Sequence, residues 1–570
     1  MTRARDNANW GGDANNNVEL GANALAANTT GNNTAVGVNS LSVNTTGDNN
    51  TAIGLDTLKA NTTGISNTAV GVAALLTNTT GSHNIAVGVS ALRTNSIGNN
   101  NTALGRDAMR LNTTGNDNIA VGFTALYSNT TGIDNVSVGS SALFSNTIGI
   151  ENTAVGRSSS YNNTTGVRNT AVGAYTLFTN TTGTDNTAIG DRALFANTTG
   201  GYNVAVGAYA LDANTIGQVN VAVGHNALSS NTTASDNTAI GANSLATNTT
   251  GVQNTGVGAY TLYSTTTGVR NIGVGNAAVF SNSVGYDNIG IGVNAIYANT
   301  TGYQNIAIGS FALDANTTGQ GNLAIGTDAL GSLTTGAYNV ALGNFALDST
   351  TGGTSSNTAV GFSAGQALTT GQNNAALGTD ALFSSTTGGD NTALGRSALY
   401  ANTTGIRNTA VGNSSNTTGT TGTNNTTIGY NSEPSSATVS NTITLGNSSI
   451  ATIRAQVTSI TALSDIRDKT NVENIPVGLE FINDLRPVKF EWNMRDGGKV
   501  GIEEGGFIAQ ELLATEEKFG TKVWTQIVSE ENPEKLEAAP AKLIPILVKA
   551  IQELSALNKD LSDRIAALEG

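Results

Sequence analysis

The chain lacks cysteine altogether, so neither disulfides nor thiolate metal ligands can hold it together. Proline is almost as scarce, and all six prolines lie between Pro434 and Pro545. Aromatic residues make up only 5% of the chain, which argues against a thick conventional core. These absences predict a thin fold that depends on backbone pairing and stacking.

The chain also has fewer basic than acidic residues, with 26 Lys and Arg against 40 Asp and Glu, and its first residues contain no long apolar run. The formal net charge of -14 argues against a nucleic-acid partner. The first residues, MTRARDNANWGG, contain no apolar run of the length that a signal peptide or a membrane span needs. We therefore expect no membrane insertion and no secretion by the signal-peptide route.

The chain is rich in one repeating unit of 17 residues, typified by residues 54–70, GLDTLKANTTGISNTAV. With its first glycine as position 0, the frame is G-x-x-A-L-x-x-N-T-T-G-x-x-N-T-A-V. The phase holds from Gly37 to Gly343, gains one residue near Gly352 and Gly353, and continues from Gly361 to Gly446. About 26 copies of a short fixed period predict an all-β solenoid, either a parallel β-roll or a β-helix, in which each repeat forms one coil.

Each repeat contains two short apolar pieces, T-A-V-G and A-L-x, which predict two short strands joined by turns. Position 13 is asparagine from Asn33 to Asn425. Because asparagine closes turns and can hydrogen-bond to the same residue one coil away, this predicts an asparagine ladder. Glycine at position 10 is typical of a turn that requires a positive φ.

The apolar positions predict which side chains face inward. Position 16 is always Val, Ile or Leu and position 4 is usually Leu, so we expect these two positions to fill the narrow interior. Position 15 is almost always Ala, Gly or Ser, which indicates close approach on the opposite strand face, where subunits are expected to meet. Charged residues concentrate at positions 1, 2, 5, 11 and 12, which should point outward. About 26 coils would form a rod on the order of 120 Å long.

Position 5 carries aromatic residues in two runs of consecutive coils. The runs are Tyr127, Phe144, Tyr161, Phe178 and Phe195, and then Tyr263, Phe280 and Tyr297. Such a ladder could stack against sugars of a receptor, or it could stabilise coil stacking or a subunit contact. The exposure of the rings would discriminate between these roles, because a ladder buried between chains cannot bind a receptor.

Composition divides the chain into four parts. Residues 1–20 form an N-terminal segment that is a possible docking end, 21–446 form the repeat array, 447–463 form a connector, and 464–570 form a more highly charged domain. In the last domain Phe490, Trp492, Phe507 and Trp524 predict the core of a small α/β fold.

The end of the chain has the apolar spacing of a coiled coil. The predicted seam residues are Leu547, Ile551, Leu554, Asn558, Leu561, Ile565 and Leu568. A polar seam residue such as Asn558 commonly sets the register. The alternative is a single amphipathic helix packed on its own domain.

Two resemblances follow from these motifs. The motif N-T-A-V-G-x-x-A-L, over roughly residues 20–430, resembles the head repeats of YadA-like trimeric adhesins, which are left-handed parallel β-rolls packed as trimers. The blocks SDIRDKTNVENI, LRPVKFEW, GGFIAQEL and LIPILVKAIQEL resemble, in this order, the self-cleaving intramolecular chaperone at the C-terminus of phage endosialidase tailspikes and other phage fibres.

The second resemblance implies a Ser-Lys dyad at Ser464 and Lys469 that cuts the bond between Leu463 and Ser464. Lysine can take a proton from serine if desolvation or nearby positive charge favours its neutral form, and Arg467 could supply part of that charge. Asp465 is expected to support the motif locally. The resemblance implies a single self-cleavage per chain, with no external substrate; we expect no cofactor and no metal.

The resemblance also implies a homotrimeric phage tail fibre, assembled in the host cytoplasm and located in the virion. Its partners would be other tail proteins, through the N-terminus, and a host-surface receptor that could be a glycan. Two alternatives stay open. One is a glycan depolymerase with its site in the shaft, and the other is a non-viral surface- or ice-binding solenoid that uses the threonines at positions 8, 9 and 14.

Overall fold

The computed structural model describes residues 16–450, 453, 464–494, 500–530, 534 and 536–570. Most of the N-terminal segment and Leu463 therefore lie outside the described residues. The chain falls into two compact units that divide between Ser355 and Ser356, close to the 18-residue coil at Gly352 and Gly353.

Each coil of the array contributes one three-residue strand. The strands β1 to β20 of the first unit are Val18–Leu20, Thr34–Val36, Thr51–Ile53, Thr68–Val70, Ile85–Val87, Thr102–Leu104, Ile119–Val121, Val136–Val138, Thr153–Val155, Thr170–Val172, Thr187–Ile189, Val204–Val206, Val221–Val223, Thr238–Ile240, Thr255–Val257, Ile272–Val274, Ile289–Ile291, Ile306–Ile308, Leu323–Ile325 and Val340–Leu342. The strands β21 to β26 of the second unit are Thr358–Val360, Ala375–Leu377, Thr392–Leu394, Thr409–Val411, Thr426–Ile428 and Ile443–Leu445.

Within each unit, successive strands pair in parallel and in register, so that each residue lies beside its counterpart in the next coil. Thr51, Ala52 and Ile53 pair with the residues 17 positions later. The predicted parallel β-solenoid with 17-residue coils is confirmed. The second strand predicted at A-L-x is wrong, because positions 2 and 4 take left-handed backbone, as at Asp56 with φ 54° and Leu58 with φ 48°, which is incompatible with an extended strand.

The strand face that points into the interior is not the predicted one. Leu58 at position 4 is fully buried, as expected, but so is Ala52 at position 15, whereas Ile53 at position 16 is 41% exposed. Alternation along a strand places position 15 opposite positions 14 and 16, and only a small side chain fits beside the leucine of position 4. The predictions that position 16 fills the core and that position 15 is a subunit face are therefore wrong.

Glycine at position 15 shows how little room the interior leaves. A Cβ on Gly273 would lie 2.4 Å from the Cγ2 methyl of Thr261, and one on Gly290 would lie 2.6 Å from Cγ2 of Val279. Each β-branched residue lies in the same 17-residue repeat as the glycine, Thr261 at position 3 and Val279 at position 4. In these two repeats the closely packed interior leaves no room for a Cβ at position 15.

Two asparagine ladders hydrogen-bond each coil to the next. At position 13, Nδ2 of Asn67 donates to Oδ1 of Asn50 at 3.1 Å, and the Asn67 backbone N–H donates to the same oxygen at 3.0 Å. This ladder was predicted and is confirmed. A second ladder lies at position 7, where Nδ2 of Asn61 donates to Oδ1 of Asn44 at 2.7 Å and to the Gly64 carbonyl at 3.0 Å. Buried amides are thereby satisfied coil by coil.

The position-7 ladder is interrupted where the sequence changes. Thr265 and Leu333 replace asparagine, and the Oδ1 atoms of Asn248 and Asn316, one coil before each, are buried without a hydrogen-bond partner. Leucine has no donor, and threonine does not bridge the gap. Each interruption therefore costs the array part of its coil-to-coil bonding.

The glycines serve close approach rather than the turn that was predicted. Gly64 at position 10 does not have a positive φ, and a Cβ there would lie 2.4 Å from the Gly81 carbonyl oxygen and from Oδ1 of Asn61. The glycine that requires an unusual backbone is at position 0. Gly190 has φ of 129°, and a Cβ on it would lie 2.6 Å from the carbonyl carbon of Gly207.

Charged side chains of the array lie mostly at its surface, as predicted. Arg168 pairs with Asp185 at 2.6 Å, and Arg270 pairs with Asp287 at 2.7 Å, each between position 12 of adjacent coils. Asp107 at position 2 is an exception, since it keeps only 9% exposure. Arg106 and Arg110 form ion pairs with it.

The C-terminal region is a small α/β domain, as predicted. Its elements are a 3-10 helix at Ile466–Asp468, α1 (Leu479–Asp484), β27 (Val488–Asn493), β28 (Val500–Gly506), α2 (Ala509–Lys518), α3 (Lys522–Thr525), β29 (Val528–Ser529), β30 (Glu537–Ala538), a 3-10 helix at Pro540–Leu543 and α4 (Ile544–Glu569). The pairs β27–β28 and β29–β30 are antiparallel. None of the helices in the described part of the chain is long and apolar enough to cross a membrane.

The core of this domain is largely aliphatic. Its buried apolar residues are Phe481, Leu512, Ile527, Val528, Leu543 and Ile546. Phe507 packs partly buried against it, but Trp524 is 47% exposed. Phe490 and Trp492 lie on one face of β27 and contact each other edge to face at 5.2 Å. The prediction of an aromatic core therefore holds only for Phe507, as a partly buried contributor.

Helix α4 packs on its domain only at its beginning. Ile546 and Ala550 are buried, and the Glu553 carboxylate accepts the Leu479 backbone N–H at 2.7 Å. The predicted seam residues, from Leu547 to Leu568, are all exposed in the single chain. The helix is thus confirmed, whereas its coiled-coil association stays a prediction.

We expect Asn180→Leu to weaken the array locally by about 1–3 kcal/mol, because Oδ1 of Asn163 would lose the donor that now lies at 2.9 Å. The matched control is Thr182→Leu, an exposed position of the same coil. Hydrogen exchange of the neighbouring coils measures the effect. Equal protection in both variants would contradict the structural role of this ladder.

We expect Gly190→Ala to destabilise the surrounding coils by on the order of 3 kcal/mol or more, because the new Cβ would collide with backbone at an unfavourable φ. Gly353→Ala serves as the control, since a Cβ there meets nothing within 4 Å. Thermal unfolding of both variants checks this. A control that is as unstable as Gly190→Ala would refute the explanation.

Candidate functional site

The segment from Ser464 to Lys469 forms one tight turn. Asp465 caps the 3-10 helix that follows it, because its Oδ1 accepts the Arg467 backbone N–H at 2.9 Å. The Asp468 N–H donates to the Asp465 carbonyl at 3.1 Å, and the Lys469 N–H donates to the Ile466 carbonyl at 3.2 Å. Side-chain capping of this kind is typical of aspartate at the start of a helical turn.

This turn brings the two predicted reactive groups together. Nζ of Lys469 donates a hydrogen bond to Oγ of Ser464 at 2.6 Å and lies 3.3 Å from the Ser464 carbonyl oxygen. A nucleophile and its base must lie within about 2.6–3.2 Å for direct proton transfer. Ser464 Oγ and Lys469 Nζ therefore lie within the distance that direct proton transfer requires.

Arg467 has a different partner from the one expected. Its Nε lies 3.0 Å from both carboxylate oxygens of Asp465. The hydrogen bonds from the Arg467 side chain, followed by the one from its backbone N–H, hold the pKa of Asp465 below its usual value. The guanidinium group thus pairs with Asp465 and braces the turn, and its contribution of positive charge beside Lys469 stays a prediction.

Ser464 and Lys469 are both exposed in the single chain. Water stabilises the charged form of a lysine, so a lysine acts as a general base when its surroundings exclude solvent. The contact between Ser464 and Lys469 is therefore present in one chain, whereas exclusion of solvent from it is not. Leu463, which carries the carbonyl group predicted to be attacked, lies outside the described residues.

A fully buried carboxylate, Glu516 on α2, was not found from the sequence. Its Oε1 accepts hydrogen bonds from Oγ1 of Thr525 at 2.6 Å and from the Ile527 N–H at 2.7 Å, and its Oε2 accepts the Val528 N–H at 3.3 Å. These contacts tie α2 to the segment before β29. No signal separates Glu516 from its exposed neighbour Glu517 in the sequence, because only the tertiary path supplies the donors.

The aromatic ladder at position 5 stacks ring on ring. The ring centroids from Tyr127 to Phe195 lie 5.0–5.3 Å apart with interplanar angles of 4–17°. Tyr263, Phe280 and Tyr297 stack in the same way at 5.0–5.2 Å. These side chains are half-buried except for Tyr297, which is 39% exposed. Because ring faces contact one another along the ladder, sugars would meet mainly ring edges.

Arginines lie over both ends of the longer ladder. The Arg110 guanidinium lies 5.8 Å from the Tyr127 ring centroid, and that of Arg192 lies 4.3 Å from the Phe195 centroid. Cation–π contacts of this kind occupy ring faces that stacking leaves free. The geometry therefore favours stabilisation of the array, and sugar recognition by this ladder stays a prediction.

Comparison with known proteins gives one match. A model of the family described as chaperone of endosialidase matches residues 464–521, a range that begins at Ser464 and includes the Ser-Lys turn, β27, β28 and α2. No curated protein and no solved structure gives a significant match. A β-solenoid joined to such a C-terminal region suggests a protein of the tail-fibre or tailspike type.

We expect Glu516→Ala to destabilise the C-terminal domain by about 2–4 kcal/mol, because two backbone N–H groups and a hydroxyl would lose their buried acceptor. Glu517→Ala is the matched control, since that side chain lies at the surface. Both changes are best made in the full chain with Ser464→Ala. Hydrogen exchange of the Ile527 and Val528 amides gives the local stability, and unchanged protection in Glu516→Ala would refute the anchoring role.

Proposed function

We propose that this chain is a structural phage tail-fibre protein that assembles as a homotrimer. In this proposal the solenoid is the shaft, and the C-terminal domain aligns three chains and is then released by self-cleavage between Leu463 and Ser464. The observation that carries the proposal is the 2.6 Å contact between Lys469 Nζ and Ser464 Oγ, at the first residue of the chaperone match.

The proposed cleavage is a single acyl transfer followed by hydrolysis. Neutral Lys469 takes the proton from Ser464 Oγ, and the oxygen attacks the Leu463 carbonyl carbon. The peptide C–N bond breaks, the lysine returns the proton to the departing amine, and an ester joins Leu463 to Ser464 Oγ. Water then hydrolyses this ester, which leaves a carboxylate on Leu463 and a free amino group on Ser464.

Assembly supplies the condition that the single chain lacks. The dyad and the seam of α4 are exposed together in one chain, so packing of three copies could bury both. Exclusion of water would then favour neutral lysine and start the reaction. In this sequence of events cleavage follows alignment, which prevents premature loss of the aligning domain.

The array explains why an aligning domain would be useful. Most coils present the same strand register and the same asparagine bonds to their neighbours, so chains displaced by 17 residues would find nearly equivalent contacts. The seam of α4, with the polar Asn558 at one position, is not repeated elsewhere and can define one register. Loss of the domain afterwards would leave the shaft kinetically trapped.

The remaining partners are part of the same proposal. We place the N-terminal segment against other tail proteins, the outer surface of the array against a host receptor, and the mature protein in the virion. An ice-binding role is not favoured, because the position-8 hydroxyls are engaged in bonding between coils. Thr62 Oγ1, for example, donates to the Thr79 carbonyl at 3.0 Å.

Full-length chain expressed in bacteria should separate on denaturing gels into fragments 1–463 and 464–570, whereas Ser464→Ala and Lys469→Met should each give one band at 57.7 kDa. Thr470→Ala, an exposed neighbour of the dyad, is the control and should still be cut. Amino-terminal sequencing of the smaller fragment should begin at Ser464. An uncut wild-type chain, or a cut Ser464→Ala variant, would refute self-cleavage.

A further inference from the structure

The outward face of the strands forms a continuous surface that the single chain leaves uncovered. In β2 to β25 the middle residue is buried, while the flanking residues, at positions 14 and 16, are partly or well exposed. We call these two positions the outer stripe. Because successive strands pair in register within each unit, equivalent side chains of the stripe follow one another at the strand spacing of about 4.8 Å.

The composition of the outer stripe is more restricted than exposure would require. Position 16 is Val, Ile or Leu in every strand from β2 to β26, and position 14 is Thr or aliphatic. Position 1 is equally exposed in the same coils but ranges from Leu55 to Arg106, Phe123 and Asp191. The repeats of one chain thus show that the coil tolerates aliphatic, aromatic and charged side chains at the outward position 1.

Strand propensity does not account for this restriction. Threonine is a good strand former and is frequent at position 14, yet it never occurs at position 16 of β2 to β26. Leucine, which lacks a branched Cβ, occurs there at Leu104, Leu342, Leu377, Leu394 and Leu445. The property that all residues at position 16 share is therefore that they are apolar. Such a restriction at an exposed position indicates that another surface covers it.

The stripe is large enough for a permanent interface. Over the strands of the first unit it extends roughly 90 Å. With on the order of 50 Å² exposed for each side chain at positions 14 and 16, threonines included, the stripe offers an area on the order of 2,000 Å² per chain. Obligate interfaces bury about 2,000–5,000 Å² in total, and exposed apolar patches above a few hundred Å² mark interaction sites.

The spacing of the stripe indicates what covers it. A partner must present apolar groups at the same period over the same length, and without charges opposite position 16. A second copy of this array meets all three conditions. Position 15, where subunits were expected to meet, is fully buried inside the coil at Ala35, Ala52 and Ala69 and is unavailable.

We propose that the outer stripe is the surface on which copies of this chain pack against one another, parallel and in register. This inference rests on the proposed fibre and assigns its interface. Side chains at positions 14 and 16 would then line the axis of the assembly, and positions 1, 2, 5, 11 and 12 would stay outside. A core of large aliphatic side chains, for which the interior of one coil is too narrow, would then form between the chains.

The first test compares two triple variants in the Ser464→Ala chain. The stripe variant is Ile53→Glu, Val70→Glu and Val87→Glu, and the control is Leu55→Glu, Val72→Glu and Val89→Glu. Both sets add three acids to the same coils. The control residues are at least as exposed, with 45% for Leu55 against 41% for Ile53 and 48% for Val89 against 38% for Val87.

Sedimentation gives the oligomeric state of each protein. We expect the unmodified chain and the control to form the same oligomer and the stripe variant to lose it. A stripe variant that forms the same oligomer as the control overturns the inference and leaves the proposed fibre standing. A monomeric unmodified chain would overturn both.

A second test works even if the stripe variant does not fold. The chain has no cysteine, so single substitutions report one site each. Ile189→Cys lies in the stripe, and Asp191→Cys lies at position 1 of the next coil. Under mild oxidation we expect disulfide-linked pairs from Ile189→Cys and far fewer from Asp191→Cys. Equal crosslinking, or a preference for position 191, would overturn the assignment.

Discussion

The structure depends on one constraint, namely that every interior group must repeat at the spacing set by hydrogen bonds between adjacent coils. A side chain on that period meets its own counterpart above and below. Asparagine satisfies this arrangement, because its amide donates to the coil on one side and accepts from the coil on the other, as Asn67 and Asn61 do. The glycines at positions 0 and 10 follow from the same spacing, since a Cβ there would enter the neighbouring backbone.

The same constraint makes the coil thin. A typical coil fills its section with one leucine, two small residues at positions 3 and 15, and two asparagines, so each coil gains little from burial alone and relies on its neighbours. Where a neighbour does not match, as at Leu333, a buried acceptor is left without a partner. Aromatic stacking at position 5 adds contact between coils at the surface. The aliphatic residues at position 16 point away from the interior and so do not fill the coil. For this reason we propose that they form contacts between chains.

The C-terminal domain is stabilised differently, because the contacts among its described residues do not recur at a fixed period. The Asp465–Arg467 pair braces a turn that holds Lys469 against Ser464, and Glu516 anchors α2 to a distant loop. Such unique contacts can specify one arrangement of chains, whereas identical coils cannot. The division of the chain into repetitive and non-repetitive parts thus corresponds to a division between a shaft and the region that we propose to align it.

The period, the asparagine ladder at position 13, the leucine at position 4 and the helix at the end of the chain could be read from the sequence, because each depends on local pattern. The pairing of Ser464 with Lys469 was implied only by the resemblance of four sequence blocks to the chaperone family, since the spacing of one serine and one lysine is not distinctive. The choice of strand face could not. In T-A-V both alanine and valine are apolar. The pattern is therefore compatible with alanine facing the interior and equally with valine facing it. The space between the strand and the facing turn, which is defined only by the tertiary path, admits alanine and sends valine outward.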